Sequence, residues 1–271
     1  MIVLGLTPLG DRRFRGESDG VPLPQPFGGQ LVGQSVVAAG RLLPGDRAVH
    51  SVRTTFLRAG VTGRPVTLEV TPLRDGRRVS VLEVSVRQDD RELCRSIVSA
   101  AVDQPDGVRH ATAPPPVPGP DASVPLADLA ADDGGLGPLW DGFSQVDVRV
   151  AGACADGTVH LWMRCAPLPD DPLLHRGALA YASDLMLMAT VLARHGVPVG
   201  HERTLARDWN AVSLDHGVVF GGEARADEWQ LFSQFSPSAA GGRAVVRASV
   251  TDEAGRPVGE VEQLALVWPG A

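Results

Sequence analysis

The sequence predicts an α+β protein in which one unit occurs twice, each copy a long helix wrapped by a curved antiparallel β-sheet. Three observations carry this reading. In each half a helix-period apolar stretch precedes a series of strand-like segments. The halves superpose at Phe56 on Phe220, Val86 on Val250 and Leu93 on Val258, with offsets of 164, 164 and 165 residues. Between them lies Ala113-Pro114-Pro115-Pro116-Val117-Pro118-Gly119-Pro120, too rich in proline for helix or central strand. Helices and strands do not alternate along the chain, which excludes a βαβ arrangement.

The elements follow in order. After Pro26, Gly28-Gly29-Gln30 leads into Leu31, Val32, Val36, Val37, Ala38 and Leu42, a helical spacing closed by Pro44-Gly45. His50–Arg58, Pro65–Val70, Val79–Val86 and Leu93–Val102 are strands, with Asp75-Gly76 as a tight turn. Beyond the proline run, Val146–Val150 and Thr158–Arg164 read as strands. Leu179–His195 reads as one long apolar helix, stopped by Gly196 and Pro198. Ala211–Phe220, Glu228–Phe235, Arg243–Val250 and Val258–Trp268 complete the second set of strands. The expected division is residues 1–104 for the first unit, 105–138 for a Pro-rich linker and 139–271 for the second unit.

Composition narrows the function. The chain has 271 residues, 25 cations against 32 anions and a net charge of −7. Such a balance offers no basic stripe to neutralise phosphates, so no nucleic acid is expected as a partner. Every one of the 25 cations is arginine. Schiff-base lysines, P-loop lysines and lysine general bases are thereby excluded. Met1–Leu6 is too short for a secretory h-region, and the apolar window Ala178–Ala193 contains Asp184 and falls short of a bilayer span. No membrane insertion is expected. Three cysteines without CxxC spacing suit a reducing cytoplasm. The seven histidines lack zinc-ligand spacing, so no metal is expected.

Several residues carry chemistry. Gly16-Glu17-Ser18-Asp19-Gly20 has the spacing of a nucleophile elbow but lacks the strand before it and the helix after it. Gly28-Gly29-Gln30 opens a helix whose first amides are free to bind an anion or polarise a carbonyl; close backbone packing is the other use of such glycines. Asp184 stands within Tyr181-Ala182-Ser183-Asp184-Leu185-Met186, which is apolar on nearly every face. Its carboxylate is therefore carried inside, where it must be hydrogen-bonded or paired. Two roles follow from that burial: a structural acid satisfied by local hydroxyls and amides, or a base that orients water. Strand alternation puts Ser213 and Asp215 on one face and His216 on the other. Gln263 interrupts the last apolar strand.

Taken together, Phe14-Arg15-Gly16, Phe27-Gly28-Gly29-Gln30-Leu31-Val32-Gly33-Gln34, His50-Ser51, Phe56-Leu57-Arg58, Leu161-Trp162-Met163-Arg164, Tyr181-Ala182-Ser183-Asp184-Leu185, Leu214-Asp215-His216 and Glu228-Trp229 resemble the acyl-CoA thioesterase II (TesB-like) family. They occur in that family's order over almost the whole chain. The resemblance implies a double hotdog fold and hydrolysis of fatty acyl-CoA to free acid and CoA, with no metal and no cofactor. It implies an Asp, a hydroxyl and a Gln holding the attacking water, which fall on Asp184, Ser213 and Gln263. Serine stands where the family has threonine and keeps the hydroxyl. Gly28, Gly29, Gln30, His50, Asp215 and His216 are the implied substrate contacts. Acyl-CoA is the expected partner, together with a homo-oligomeric copy through exposed sheet edges. The family's aromatic and His-Arg-Pro-like turn is replaced by Val218-Val219-Phe220-Gly221-Gly222-Glu223, which is expected to widen the pocket rim, and Ala59 follows Arg58 where proline is common. A non-catalytic acyl-thioester binder and a hotdog enoyl-CoA hydratase are the alternatives, the second lacking any Asn-Pro.

Overall fold

The computed structural model describes residues 4–154 and 156–270. Met1–Val3, which open the short apolar stretch read above, lie outside the described residues. The first half contains β1 (Leu6–Gly10), β2 (Arg13–Gly16), α1 (Gly28–Gly40), β3 (Arg47–Phe56), β4 (Val66–Asp75), β5 (Val79–Gln88) and β6 (Arg91–Val102). The second contains β7 (Val124–Pro125), the one-turn α2 (Leu126–Leu129), β8 (Val146–Ala153), β9 (Val159–Cys165), α3 (Pro172–Ala182), α4 (Leu187–Ala193) and α5 (Glu202–Asp208). It ends with β10 (Trp209–Ser213), β11 (Asp215–Phe220), β12 (Gln230–Ala240), β13 (Arg243–Asp252) and β14 (Pro257–Pro269).

The strands form one antiparallel sheet, ordered β1-β2-β4-β5-β6-β3-β11-β14-β13-β12-β9-β8-β7, with β10 paired to β14. Read inward from each end, β2-β4-β5-β6-β3 is mirrored by β9-β12-β13-β14-β11. The halves meet along β3–β11, where Arg53 pairs with Gly217. The repeat seen in the sequence is therefore physical: the 164-residue offset carries Val52 onto His216, and the 165-residue offset carries Val98 onto Gln263. β5 shows the alternation that such a sheet requires, with Leu82, Val84 and Val86 buried and the residues between them half-exposed.

Both long helices run inside the curve. Residues 29–39 of α1 are all buried, and none carries a charge. A helix without charges and buried all round has to be covered on all sides, with its few polar side chains, such as Gln30, hydrogen-bonded inside. The sheet covers α1 on one side and α3 on the other. Glycine permits the close approach: a Cβ on Gly33 would lie 2.6 Å from the Gly177 carbonyl oxygen, and one on Gly29 would collide with the Tyr181 carbonyl oxygen. Gly29 and Gly33 are one turn apart, as are Gly177 and Tyr181, so each pair shares a face. Backbone packing is thus one use of these glycines.

The structure corrects three expectations. The long helix of 179–195 is two helices, α3 and α4, broken between Ala182 and Leu187. Asp184 stands in the break, not on a helix face. The single strand of 211–220 is two, β10 and β11, separated at Leu214. β1, β2 and α5 are additional elements; the structured material expected between the proline run and Trp140 is β7, α2 and short 3₁₀ turns. Among the described residues no helix is long and apolar enough to cross a membrane.

Candidate active site

The site is built where the helix break, the first turn of α1 and the β10–β11 kink converge. Asp184 has a side chain only 5% exposed. Its Oδ2 accepts a hydrogen bond from the Gly29 backbone amide at 2.8 Å. A carboxylate from residue 184 thereby caps a helix that starts at residue 28, and it meets both a free N–H and the positive end of the helix dipole. Glycine at 28 leaves room, because a Cβ there would sit 2.7 Å from Asp184 Oδ2 and 3.0 Å from the Phe56 ring.

Burial raises the Asp184 pKa above the usual carboxylate value; the nearby His216, the Gly29 amide and a hydrogen bond from Gln263 pull it back in part. His216 Nδ1 lies 3.8 Å from Asp184 Oδ1 and 2.5 Å from Gln263 Oε1. An amide oxygen only accepts, so Nδ1 carries the proton. His216 Nε2 is 2.8 Å from the Ser183 hydroxyl. Gln263 Nε2 donates to Ser213 Oγ at 3.0 Å. Asp184, Gln263, Ser213 and His216 thus form one network. Ser213 Oγ accepts from Gln263 and retains its own proton for a further acceptor.

The network includes a residue that strand alternation placed on the wrong side. Ser213 and His216 both reach Gln263. The cause is a β-bulge: the chain takes four steps from Ser213 to Gly217 while β14 takes three from Ala265 to Glu262. One extra residue reverses the parity of the side chains beyond it. Asp215 seals the bulge, its Oδ1 accepting from the Leu264 amide at 2.8 Å. Replacing Asp215 with Ala is expected to cost about 1–3 kcal/mol of stability, since a half-buried amide loses its partner. Chemical denaturation measures this, and a midpoint equal to wild type would disprove the assignment.

The other expected contacts sit as follows. Gly28 borders a cleft of about 240 Å³ that is also lined by Pro26, Leu31, Phe56, Arg58, Val212 and Ser213. The Gly29 amide is taken by Asp184. Gln30 is fully buried and faces away, accepting from the Asp19 amide and donating to the Glu17 carbonyl. Gln30 therefore holds the 17–19 loop over the helix. Ser18 of the elbow-like motif accepts from the Gly20 and Gly63 amides and is a turn residue. His50 stands on β3 four residues from Thr54, the partner of His216, or about 13 Å along the strand, and is not brought to the network. Gly221, Gly222 and Glu223 line a different, larger pocket of about 620 Å³ that touches none of the four network residues. The expected widening of the rim by this segment therefore falls at the mirror-related end of the fold.

The mirror positions explain why the network exists once. By the same offsets Ser213 corresponds to Val49, His216 to Val52 and Gln263 to Val98, all buried. Gly33 and Gly177 face each other across the helix pair and so occupy equivalent positions in the two halves; on that equivalence Leu173 corresponds to Gly29 and Gly40 to Asp184. A Cβ on Gly40 would collide with Leu173. Where one half holds a carboxylate against an amide, the other packs leucine against glycine. A polar residue in one copy over a valine in the other was the sequence signal that singles out His216.

The chain as a whole is similar to known proteins. Residues 20–103 match the model of an acyl-CoA thioesterase N-terminal domain, and residues 111–267 that of an acyl-CoA thioesterase C-terminal domain. The chain is 30% identical to acyl-coenzyme A thioesterase 8 of Homo sapiens, over 90% of this chain and 81% of that protein. It is 28% identical to acyl-CoA thioesterase 2 of Haemophilus influenzae, over 98% and 95%. The crystal structure of an acyl-CoA thioesterase II, TesB2, from Mycobacterium marinum is similar at a TM-score of 0.81 and 31% identity, covering 100% of this chain and 97% of that one.

Proposed function

The chain belongs to the acyl-CoA thioesterase family, and from that premise we propose that it hydrolyses acyl-CoA through a water held by Asp184, Gln263 and Ser213. The hydrogen-bonded network at the edge of the Gly28–Ser213 cleft supports this most directly. A thioester carbonyl is electrophilic enough for water once the water is aligned and loses its proton during attack. Asp184 takes that proton. Its raised pKa makes it a stronger base than a solvated carboxylate, and the nearby His216, the Gly29 amide and Gln263 favour its ionised form. Ser213 donates its remaining proton to the water and fixes its direction. His216 holds Gln263 in the orientation that presents its NH₂ group to Ser213 and Asp184.

Charge that develops on the carbonyl oxygen needs a donor aimed at it. The Gly28 amide, in the first turn of α1 and on the cleft wall, fills that role in this proposal. Arg58 on the rim is exposed and offers a guanidinium to the phosphates of CoA. Collapse of the intermediate expels the thiolate and leaves the free acid. We assign residues 1–104 and 139–271 to the two hotdog units joined by 105–138. A cytoplasmic setting and association of copies complete the proposal, the former supported by three free cysteines.

Thiol release from a panel of acyl-CoA chain lengths tests it. Wild type is expected to turn over at least one member. Ser213→Ala is expected to lose about tenfold in kcat, the value of one hydrogen bond of about 1.4 kcal/mol. Tight acyl-CoA binding by calorimetry without turnover of any chain would overturn the reaction and favour a binding protein.

A further inference from the structure

We propose that Gln234 is a positioning residue for the reaction, setting the direction of Asp184 from behind the site. This rests on the reading of Asp184 as the base. Gln234 lies on β12, is fully buried, and hydrogen-bonds Leu185 and Thr190 rather than the four network residues. Its Nε2 donates to the Leu185 carbonyl at 3.0 Å. Its Oε1 accepts from the Thr190 hydroxyl at 2.8 Å, and Thr190 is itself fully buried on α4.

The physical need for this clamp comes from the helix break. Between α3 and α4 the chain leaves helical geometry, and Met186 adopts a left-handed conformation with φ of 65°. A methionine reaches that region only when its surroundings impose it. The break also removes the intrahelical partner of the Leu185 carbonyl, in a place without water access. Gln234 supplies the missing donor, and Thr190 orients the Gln234 amide so that its NH₂ faces Leu185. The Leu185 carbonyl is one residue beyond Asp184. Fixing it fixes the backbone from which the carboxylate reaches the Gly29 amide.

The mirror half supports the same conclusion independently. The offset of 164 residues carries Gln234 onto Val70, which is buried on β4. In that half α1 ends at Gly40 and presents no carboxylate to be held. Of this mirrored pair, the polar member lies in the half that carries the carboxylate.

The test uses Gln234→Leu and Gln234→Glu in the full chain. The activity-independent readout is the Gly29 amide resonance, which reports its bond to Asp184. In Gln234→Leu that resonance is expected to move and kcat to fall by about a hundredfold with KM within twofold, because a displacement of about 1 Å is enough for such a loss. Gln234→Glu can donate to Leu185 only while its buried carboxyl is protonated. It is expected to retain activity at low pH and to lose it as pH rises, adding a descending limb that wild type lacks. This second variant serves if the leucine variant does not fold. A Gly29 resonance at its wild-type position in folded Gln234→Leu, or in Gln234→Glu at the high-pH end where its activity is lost, overturns the proposal whatever the turnover. Asp184→Asn is measured beside them: wild-type turnover there refutes Asp184 as the base, while the Gly29 signal still judges Gln234.

Discussion

Asp184→Asn is expected to lower kcat for acyl-CoA hydrolysis by about a thousandfold, within the range of a lost general base. Asparagine keeps the acceptor for the Gly29 amide and nearly the same volume, so the loss would report the proton transfer rather than the packing. The same substitution is expected to raise the melting temperature at neutral pH. The sign follows from the direction of the pKa shift. Asp184 in the folded protein holds its proton to a higher pH than the unfolded value of 3.8. Such a group favours the fold below the unfolded pKa and loses that contribution as pH rises through the folded pKa. At pH 7 the buried carboxylate is therefore a net cost, which asparagine removes. Wild type should also show an acid limb in kcat/KM above the ordinary carboxylate range, and the Asn variant's residual rate should lack that limb. A Tm below wild type at pH 7 would contradict the burial argument, and undiminished turnover would contradict the role.

Gly33→Ala is expected to disrupt the core out of proportion to the single methyl it adds. Its Cβ would meet the Gly177 carbonyl oxygen at 2.6 Å, and the neighbour is backbone that cannot rotate away. Relief requires α1 and α3 to separate. Overpacking of this kind costs about 1–3 kcal/mol, or a fall of roughly 3–10 °C in Tm for a chain of this size. Separation of the helices also draws the Gly29 amide from Asp184, so kcat should fall along with stability. A variant with wild-type Tm would show that the helices have slack at this crossing.

How far the sequence spoke can be judged at particular residues. The doubled architecture was legible because Phe56 and Phe220, Val86 and Val250 obey a constant offset, and offsets survive when identities do not. The burial of Asp184 was legible from its apolar neighbours. The break around it was not, because Ala182-Ser183-Asp184-Leu185-Met186 contains no glycine or proline. Tertiary partners, Gln234 and Thr190 among them, hold the groups that the break leaves without helical partners. The parity of His216 was illegible for a related reason. Alternation assumes an unbroken ladder, and the bulge at Leu214 is announced by no glycine. The role of Gln30 was obscured because its partners, Glu17 and Asp19, lie in a loop whose path only folding defines. His50 was drawn into the site by its segment, not by geometry.

The inequivalence of the mirrored positions has a further consequence. Had the two halves been identical chains associating as a symmetric dimer, every substitution would have appeared on both sides of the axis. A histidine at the His216 position would then oblige a histidine at the Val52 position, and a left-handed break would be imposed on both helices. Covalent linkage removes that constraint. One copy of the motif retains valines chosen for packing density, while the other accumulates buried polar groups whose cost the first offsets. Symmetry breaking of this kind lets stability and reactivity be selected at separate addresses along one polypeptide.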